Sequence, residues 1–587
     1  MRTGIATRIA VPLLLGLLAS LVGAPACRAD ARPAPMRHGV CFFCPDKEDE
    51  AIRQLELLKR EGFDLIEFAS WVWTLPTPGS ALERRARAVL DWCDTHDVAF
   101  FLMHNIQWGS PGEGGGLNDQ VLHPEKAAPL VEDWARVLRG HRCVIGVILG
   151  NEVGPSLGTP QEAPELWRQF RDWLGGQHGS IESLNAAWRT KFADLGDVGV
   201  PPEQSPGWAD YRRYAHLRFA QFYGALFDGA FRPVLGAKLY GNKTSLDPFL
   251  HRACQRMTMT CWDDLMAQYP LGQIKCAADT TGRPLFNAEL HLYNDEYEYF
   301  PSPEASRYRY FMSALTGEYM TASYAWGQWN KPQIRRVHQA TPRILADLRR
   351  VEQECRALAA AYQRANLAVL VTEENFYRGH IDRTSRHPLA ILYACMSALG
   401  RPWRYVLEDD LGSFKRGTLV VWTRGLKPTA ARALAGLPPG VLVVAIDAVP
   451  QADEYGRPLT DELQRKLRER LQVVPQHRLT AVIGVQPGLP SEYQRLADVS
   501  YLWWSNEKGH YRYVVPYCAI EARWAKTPAG LLLALVNNTQ QAQSAPLPWV
   551  GGYRVVDLAT GRELAVPRQR RLRFAPLDVK LFLLKRR

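Results

Sequence analysis

Short apolar runs alternate with amphipathic stretches from about Arg37 to Arg350. The runs are His38 to Phe43, Phe63 to Phe68, Val98 to Met103, Val144 to Leu149, Ala237 to Tyr240, Met257 to Cys261, Pro284 to Ala288 and Met320 to Ala325. Runs of this length without polar alternation read as parallel strands buried on both faces. Between them, Glu48 to Arg60 and Ala81 to His96 carry apolar residues at three- and four-residue spacing, the mark of helices packed on one side. Eight strand–helix units in about 300 residues predict a (β/α)8 TIM barrel over residues 30–350. A doubly wound sheet has no place for eight units, and no Gly-rich phosphate loop follows the first run.

Beyond Arg350 the texture changes. Leu367 to Val371, Thr418 to Trp422 and Val441 to Ala445 are strand-like, with the helical stretches Arg386 to Leu399 and Pro428 to Ala435 around them. This predicts a smaller α/β domain over 351–518. Residues 519–587 hold short strands and turns at Leu531 to Val536, Tyr553 to Asp557, Leu572 to Phe574 and Val579 to Leu584, a pattern that predicts a C-terminal β-sandwich. A long insertion, Pro155 to about Arg232, follows the fourth run and is mostly helical in pattern. Insertions at that face of a barrel shape substrate access.

The strand ends carry the candidate chemistry. Asn151-Glu152 stands directly after the fourth run, and Glu289 ends the seventh. In a barrel, residues at the carboxyl ends of strands line the active-site mouth. Two carboxylates at one mouth fit glycoside hydrolysis, one as acid/base and one as nucleophile. The dipeptide recurs as Asn506-Glu507 in a polar loop, so position, not the pair itself, carries the reading. His104 and Asn105 end the third run, where polar groups can recognise sugar hydroxyls. Asn242 and Lys243 follow the fifth. Asn151 is placed to donate to the hydroxyl beside the anomeric carbon.

Composition excludes some classes. The chain has 587 residues, 47% hydrophobic and 22% charged, an ordinary globular balance. Its formal charge of +11 comes from scattered arginines, with no basic helix interleaved with aromatics, so no nucleic-acid partner is expected. The 18 Trp and 23 Tyr suit both core packing and sugar rings. Cys41 and Cys44 make a C-x-x-C, but no second close pair completes a zinc site, and buried thiols are the expected state of the 11 cysteines. Neither metal nor cofactor is called for.

The N-terminus has the form of a secretory signal over residues 1–29. Arg2 and Arg8 precede an apolar stretch from Val11 to Val22, and Ala24-Pro25-Ala26 offers small residues for cleavage. The expectation is a secreted or periplasmic protein, with lipid anchoring through Cys27 as the alternative. No later segment is apolar for long enough to span a membrane.

Three further stretches resemble glycoside hydrolase family 42, the β-galactosidase family of clan A. Leu58 to Phe63 with Glu67-Phe68-Ala69-Ser70-Trp71 is similar to its second-strand segment. Ser183-Leu184-Asn185-Ala186-Ala187-Trp188, Phe192 and Tyr211-Arg212-Arg213-Tyr214 resemble the segment after strand four. Tyr324-Ala325-Trp326-Gly327-Gln328-Trp329 looks like the end of strand eight. The resemblance implies a barrel, a domain similar to class I amidotransferases and a β-domain. It also implies a retaining mechanism with Glu152 as acid/base and Glu289 as nucleophile, Tyr269 orienting Glu289, and Trp326 or Trp329 as the sugar platform. The substrate would be an oligosaccharide or polysaccharide, and the middle domain is left for homo-oligomer contacts. The chain departs from the family where Asp263 and Tyr269-Pro270 stand apart, and it lacks the zinc-binding cysteine cluster. A non-catalytic carbohydrate-binding barrel is the alternative. Amidotransferase chemistry is excluded because Val421-Trp422-Thr423-Arg424-Gly425 holds no elbow cysteine.

Overall fold

The computed structural model describes residues 36–71, 74–106, 117–203, 205–236, 238–244, 246–264, 271–291, 302–324, 335–381, 388–505, 509–549, 552–564 and 571–586. The signal-like segment 1–29, Tyr269, Trp326 and Trp329 lie outside the described residues.

Eight parallel strands form a nearly closed barrel: β1 (Arg37–Phe42), β2 (Leu65–Trp71), β3 (Ala99–Asn105), β4 (Val144–Ile148), β5 (Leu239–Gly241), β6 (Thr260–Asp264), β7 (Leu285–His291) and β8 (Glu318–Tyr324). The hydrogen-bonded order is β5-β4-β3-β2-β1-β8-β7-β6. A parallel bridge between Lys243 and Cys261 closes the seam between β5 and β6. Each predicted run overlaps a strand, and β2, β3, β6 and β7 extend past the apolar stretch into the polar residues of the mouth.

The helices have local causes. In Glu48–Arg60 the buried residues Ala51, Leu55 and Leu58 recur at helical spacing, with three acids in the first turn and Lys59 and Arg60 in the last, complementing the helix dipole. In Ala81–His96 the Ser80 side chain accepts from the Glu83 N–H, and Asp97 closes the helix in a left-handed conformation. The inner barrel core is built by side chains such as Leu65, Phe101, Met103, Ile148, Phe286 and Met320. Their neighbours Ile66, Phe100 and Leu102 face the other way, into the shell between strands and helices.

The insertion after β4 is helical, as expected, over Pro164–His178, Ile181–Trp188 and Gly207–Leu226. The Asp210 carboxylate on its last helix accepts from the Tyr455 hydroxyl at 2.8 Å, and Arg213 pairs with Glu373 at 2.7 Å. These contacts tie the insertion to the next domain.

The helix Arg335–Gln363 runs unbroken through residue 350 and leads from the barrel into a second sheet. That sheet is parallel, in the order β10-β9-β11-β12-β13, from β9 (Leu367–Val371), β10 (Arg404–Leu407), β11 (Gly417–Val421), β12 (Val441–Ile446) and β13 (Gln472–Val474). An antiparallel hairpin, β14 (Leu496–Ser505) and β15 (Gly509–Cys518), follows. The C-terminal strands are β16 (Ile520–Thr527), β17 (Gly530–Asn537), β18 (Gln543–Pro546), β19 (Tyr553–Asp557), β20 (Glu563–Leu564), β21 (Arg571–Phe574) and β22 (Val579–Arg586). They form a sheet ordered β16-β17-β22-β19-β20 and a separate pair β18-β21. Buried Arg523 on β16 donates to the Leu315 carbonyl at 2.8 Å and the Tyr393 hydroxyl at 2.6 Å, pinning this sheet to both preceding parts.

None of the described cysteines is joined in a disulfide, and among them only Cys44 and Cys395 are not buried. Among the described residues no helix is long and apolar enough to cross a membrane.

Candidate active site

Glu289 lies on β7, where the pairing slips. Trp262 pairs with Asn287 but Asp263 pairs with Glu289, so Ala288 has no partner on β6. The register to β8 slips over the same residues. Such a bulge re-aims a side chain beside a site. The strand continues to His291, so Glu289 stands just inside its end rather than at it.

The Glu289 carboxylate is buried and held on both oxygens. Lys243 Nζ donates to Oε1 at 2.7 Å, and His291 Nε2 lies 3.2 Å from Oε2. The His291 ring is stacked on Tyr324 at 4.6 Å, which fixes its plane. Burial disfavours the charge on Glu289, but the Lys243 ammonium and the His291 ring outweigh it and hold the carboxyl well below the usual range. These two neighbours favour the ionised carboxylate.

Lys243 has a second carboxylate. Its Nζ lies 2.8 Å from Oε1 of Glu67, and both side chains are fully buried. Glu67 is on β2, in register with Cys41 on β1 and Phe101 on β3, inside the barrel. Burial pushes its carboxyl up to about 7, Lys243 pulls it down, and the charge on Glu289 adds to the rise. One ammonium thus serves two glutamates of opposite tendency.

Lys243 also reaches Glu152 through the backbone. Its N–H donates to the Gly150 carbonyl at 2.9 Å, and its carbonyl accepts from the Val153 N–H at 3.2 Å. The loop that carries Asn151 and Glu152 is therefore stitched to the residue that holds Glu289. A Cβ on Gly150 would stand 2.6 Å from the Val153 side chain, so the loop needs glycine there. Glu152 is partly buried and has φ 51°, a left-handed conformation rare for a residue with a side chain. Strain of this kind is found where a side chain must be aimed. Buried Asn151 donates its N–H to Asn105 Oδ1 at 3.2 Å, joining the third and fourth strand ends.

Among the predicted site residues, Asn105, Asn151, Glu152 and Glu289 sit on one network. His104, expected from its strand end to meet substrate or to be a satisfied structural histidine, does not join that network. Alternation along β3 turns it outward, where Nδ1 lies 3.2 Å from Ser70 Oγ, which also accepts from Trp134 of the helix Pro124–Leu138. Burial lowers its pKa to about 4, so it is a neutral packing histidine. Glu67 was missed as a site residue, although an acid inside the run Leu65-Ile66-Glu67-Phe68 is a signal in itself.

Residues 118–227 match the family model of glycoside hydrolase family 42, β-galactosidase. The matched segment contains Asn151, Glu152 and the helical insertion. The chain resembles the family 42 β-galactosidases of clan A. It superposes on the β-galactosidase from Bacillus circulans sp. alkalophilus with a TM-score of 0.68, at 12% identity over 94% of this chain and 99% of that one. The family 42 exo-carrageenase from Bacteroides ovatus gives 0.66, at 15% identity over 94% and 83%. The cold-adapted β-galactosidase from Rahnella sp. R3 gives 0.67, at 13% over 94% and 99%. These structural likenesses establish a shared fold, and with the family match they support a glycoside hydrolase. No curated protein sequence matches the chain.

Proposed function

We propose that the protein is an exported retaining glycoside hydrolase that cleaves β-glycosidic bonds, with a β-galactoside as substrate. The observation that carries the reading is the Glu289 carboxylate, ionised by Lys243, whose own backbone holds the Glu152 loop. A nucleophilic carboxylate must be charged before substrate arrives, and the buried Lys243 ammonium beside Glu289 favours that state.

In the first step Glu152 gives its proton to the glycosidic oxygen while a Glu289 oxygen attacks the anomeric carbon. The bond to the leaving group breaks and a glycosyl-enzyme forms. In the second step Glu152 takes a proton from water, the water oxygen attacks the anomeric carbon, and Glu289 leaves as a carboxylate. Asn151 donates to the neighbouring hydroxyl, and Trp326 or Trp329 supplies the platform for the ring. The carboxyl groups of Glu152 and Glu289 work at a gap of about 5–5.5 Å. The apolar stretch after Arg8 supports export. The non-catalytic alternative does not account for a lysine spent on keeping one mouth carboxylate ionised.

The test is a panel of aryl β-glycosides, with the anomer of the first-formed sugar read by NMR. Turnover of a galactoside with retained configuration is expected. Inverted configuration would remove the nucleophile role of Glu289, and no turnover on any glycoside would remove the reading.

A further inference from the structure

A cleft of 720 Å³ opens on the C-terminal sheet, within the size range of small-molecule sites. Its walls include Trp524 on β16, Trp549 after β18, Tyr553 on β19 and Gln486 from the preceding loop, with Lys526 and Arg586 at the rim. None of these residues belongs to the barrel mouth.

The two indoles are fixed rather than loose. Trp524 Nε1 donates to the Gly400 carbonyl at 2.6 Å and Trp549 Nε1 to the Pro487 carbonyl at 2.8 Å. Their rings meet at 6.0 Å and 63°, giving two faces at an angle. With both N–H groups satisfied inside the protein, what remains for a ligand is the ring surface. Trp549 has φ 57°, a backbone conformation in which a bulky side chain is an outlier. Its ring lies against the bare backbone of Gly488, where a Cβ would stand 3.2 Å from Cδ1. Trp549, Trp524 and Tyr553 pack one side against the core of the C-terminal sheet and line the cleft with the other, and the left-handed backbone at Trp549 sets the angle at which its ring meets the cleft. Lys526 and Arg586 are exposed, and among the described residues that line the cleft there is no acid.

We propose that this cleft is a second carbohydrate-binding site that takes a glycan segment bearing anionic substituents. Sugar rings lie on the Trp524, Trp549 and Tyr553 faces, Gln486 meets hydroxyls, and Lys526 and Arg586 meet the sulfate or carboxylate groups. The site needs no catalysis, so it stands or falls apart from the roles of Glu152 and Glu289.

The test is native affinity electrophoresis of the full chain in gels holding a sulfated galactan, a galacturonan or a neutral β-galactan. The two acidic polymers should retard the protein, and the neutral one less. Trp549→Gly should bind about tenfold more weakly, the worth of one ring contact. That variant should fold, because glycine accepts the positive φ without strain. It loses the hydrogen bond to Pro487 and the contact with Trp524, so its melting temperature should fall by a few degrees while the melt stays a single transition, and its turnover of a small aryl glycoside should equal that of the parent. The double variant Lys526→Glu with Arg586→Glu should lose the preference for the acidic polymers. Absence of retardation by all three polymers, or retardation that Trp549→Gly leaves intact, overturns the site. Equal retardation by neutral and acidic polymers overturns the ligand class.

Discussion

Lys243 and Glu289 form a 2.7 Å ion pair with both side chains buried, and the same ammonium lies 2.8 Å from Glu67. Lysine and glutamate come from different strand ends, so their pairing is a product of barrel closure. Lys243 is the residue bridged to Cys261 at the seam. Closing the barrel and placing the ammonium on Glu289 are the same structural event.

Replacing Lys243 by Met removes the charge and keeps the stem. Burial then acts on Glu289 with only His291 opposing it, so its pKa rises. The acid limb of kcat/KM should move to higher pH. At pH 6 the loss should be about 10²-fold, the usual cost of one preorganised electrostatic partner, and it should shrink as pH rises. Two carboxylates left without their cation should also cost stability, about 3–5 kcal/mol in urea unfolding at pH 7. An equal rate loss at every pH would show that Lys243 acts other than on the ionisation of Glu289.

Glu67→Gln separates the two carboxylates. The folded-state pKa of Glu67 is raised to about 7, above its unfolded value. Between about 4.5 and 7 the folded state therefore binds more protons at this site, and stability falls as pH rises through that window. Glutamine cannot titrate, so the variant should gain on the parent from pH 4.5 to 7 and hold a constant difference above. Glu289 has the opposite sign: its depressed pKa gives stability present above 4.5 and lost as pH falls below it. Thermal melts of both proteins across pH 4 to 8 check this. A difference that stays flat across the window would place the folded pKa of Glu67 in the ordinary range.

The barrel was legible because strands buried on both faces leave continuous apolar runs, and nothing else in a chain this long repeats eight times. The ends of the runs were less so. β7 continues through Glu289-Leu290-His291, and β2 through Ala69-Ser70-Trp71, because mouth residues are polar while still paired. His104 misled because its place at a strand end says nothing about which face it takes. Counting the alternation from Phe101 and Met103 would have turned it outward. Glu67 and Lys243 are far apart in sequence, and only the register of four strands reveals that one ammonium serves two acids. The bulge at Ala288 has no sequence mark, and neither does the left-handed φ of Glu152.

Gly150→Ala tests the loop without touching a catalytic group. The added Cβ would stand 2.6 Å from the Val153 side chain and 3.1 Å from the Tyr223 hydroxyl, so the loop must shift. Tyr223 is itself anchored to the Ile106 carbonyl at 2.8 Å and cannot give way freely. A displacement near 1 Å at a catalytic group costs about 10²-fold, so kcat should fall by that order while the melting temperature changes little. Measured with an activated aryl glycoside, whose leaving group needs no proton, the loss should be smaller if the shifted Glu152 is the proposed acid. An equal loss on both substrates would mean that the loop positions something besides Glu152.

The two glutamates should be told apart by rescue. Glu289→Gly can form no glycosyl-enzyme, so every substrate should fail. Azide or formate should occupy the vacated space, attack the anomeric carbon directly and restore turnover with inverted product. Glu152→Ala keeps the nucleophile and loses the proton. Dinitrophenyl glycosides should still be cleaved to the intermediate, while substrates with poor leaving groups lose about 10²–10⁴-fold. Azide should then attack the intermediate and give a product of retained configuration. Opposite anomers from the two variants would fix both roles at once. Near-normal turnover by Glu289→Gly, with loss instead on replacing Asp295 or Glu296, would move the nucleophile further along the chain. Wild-type behaviour of both variants would end the glycosidase reading.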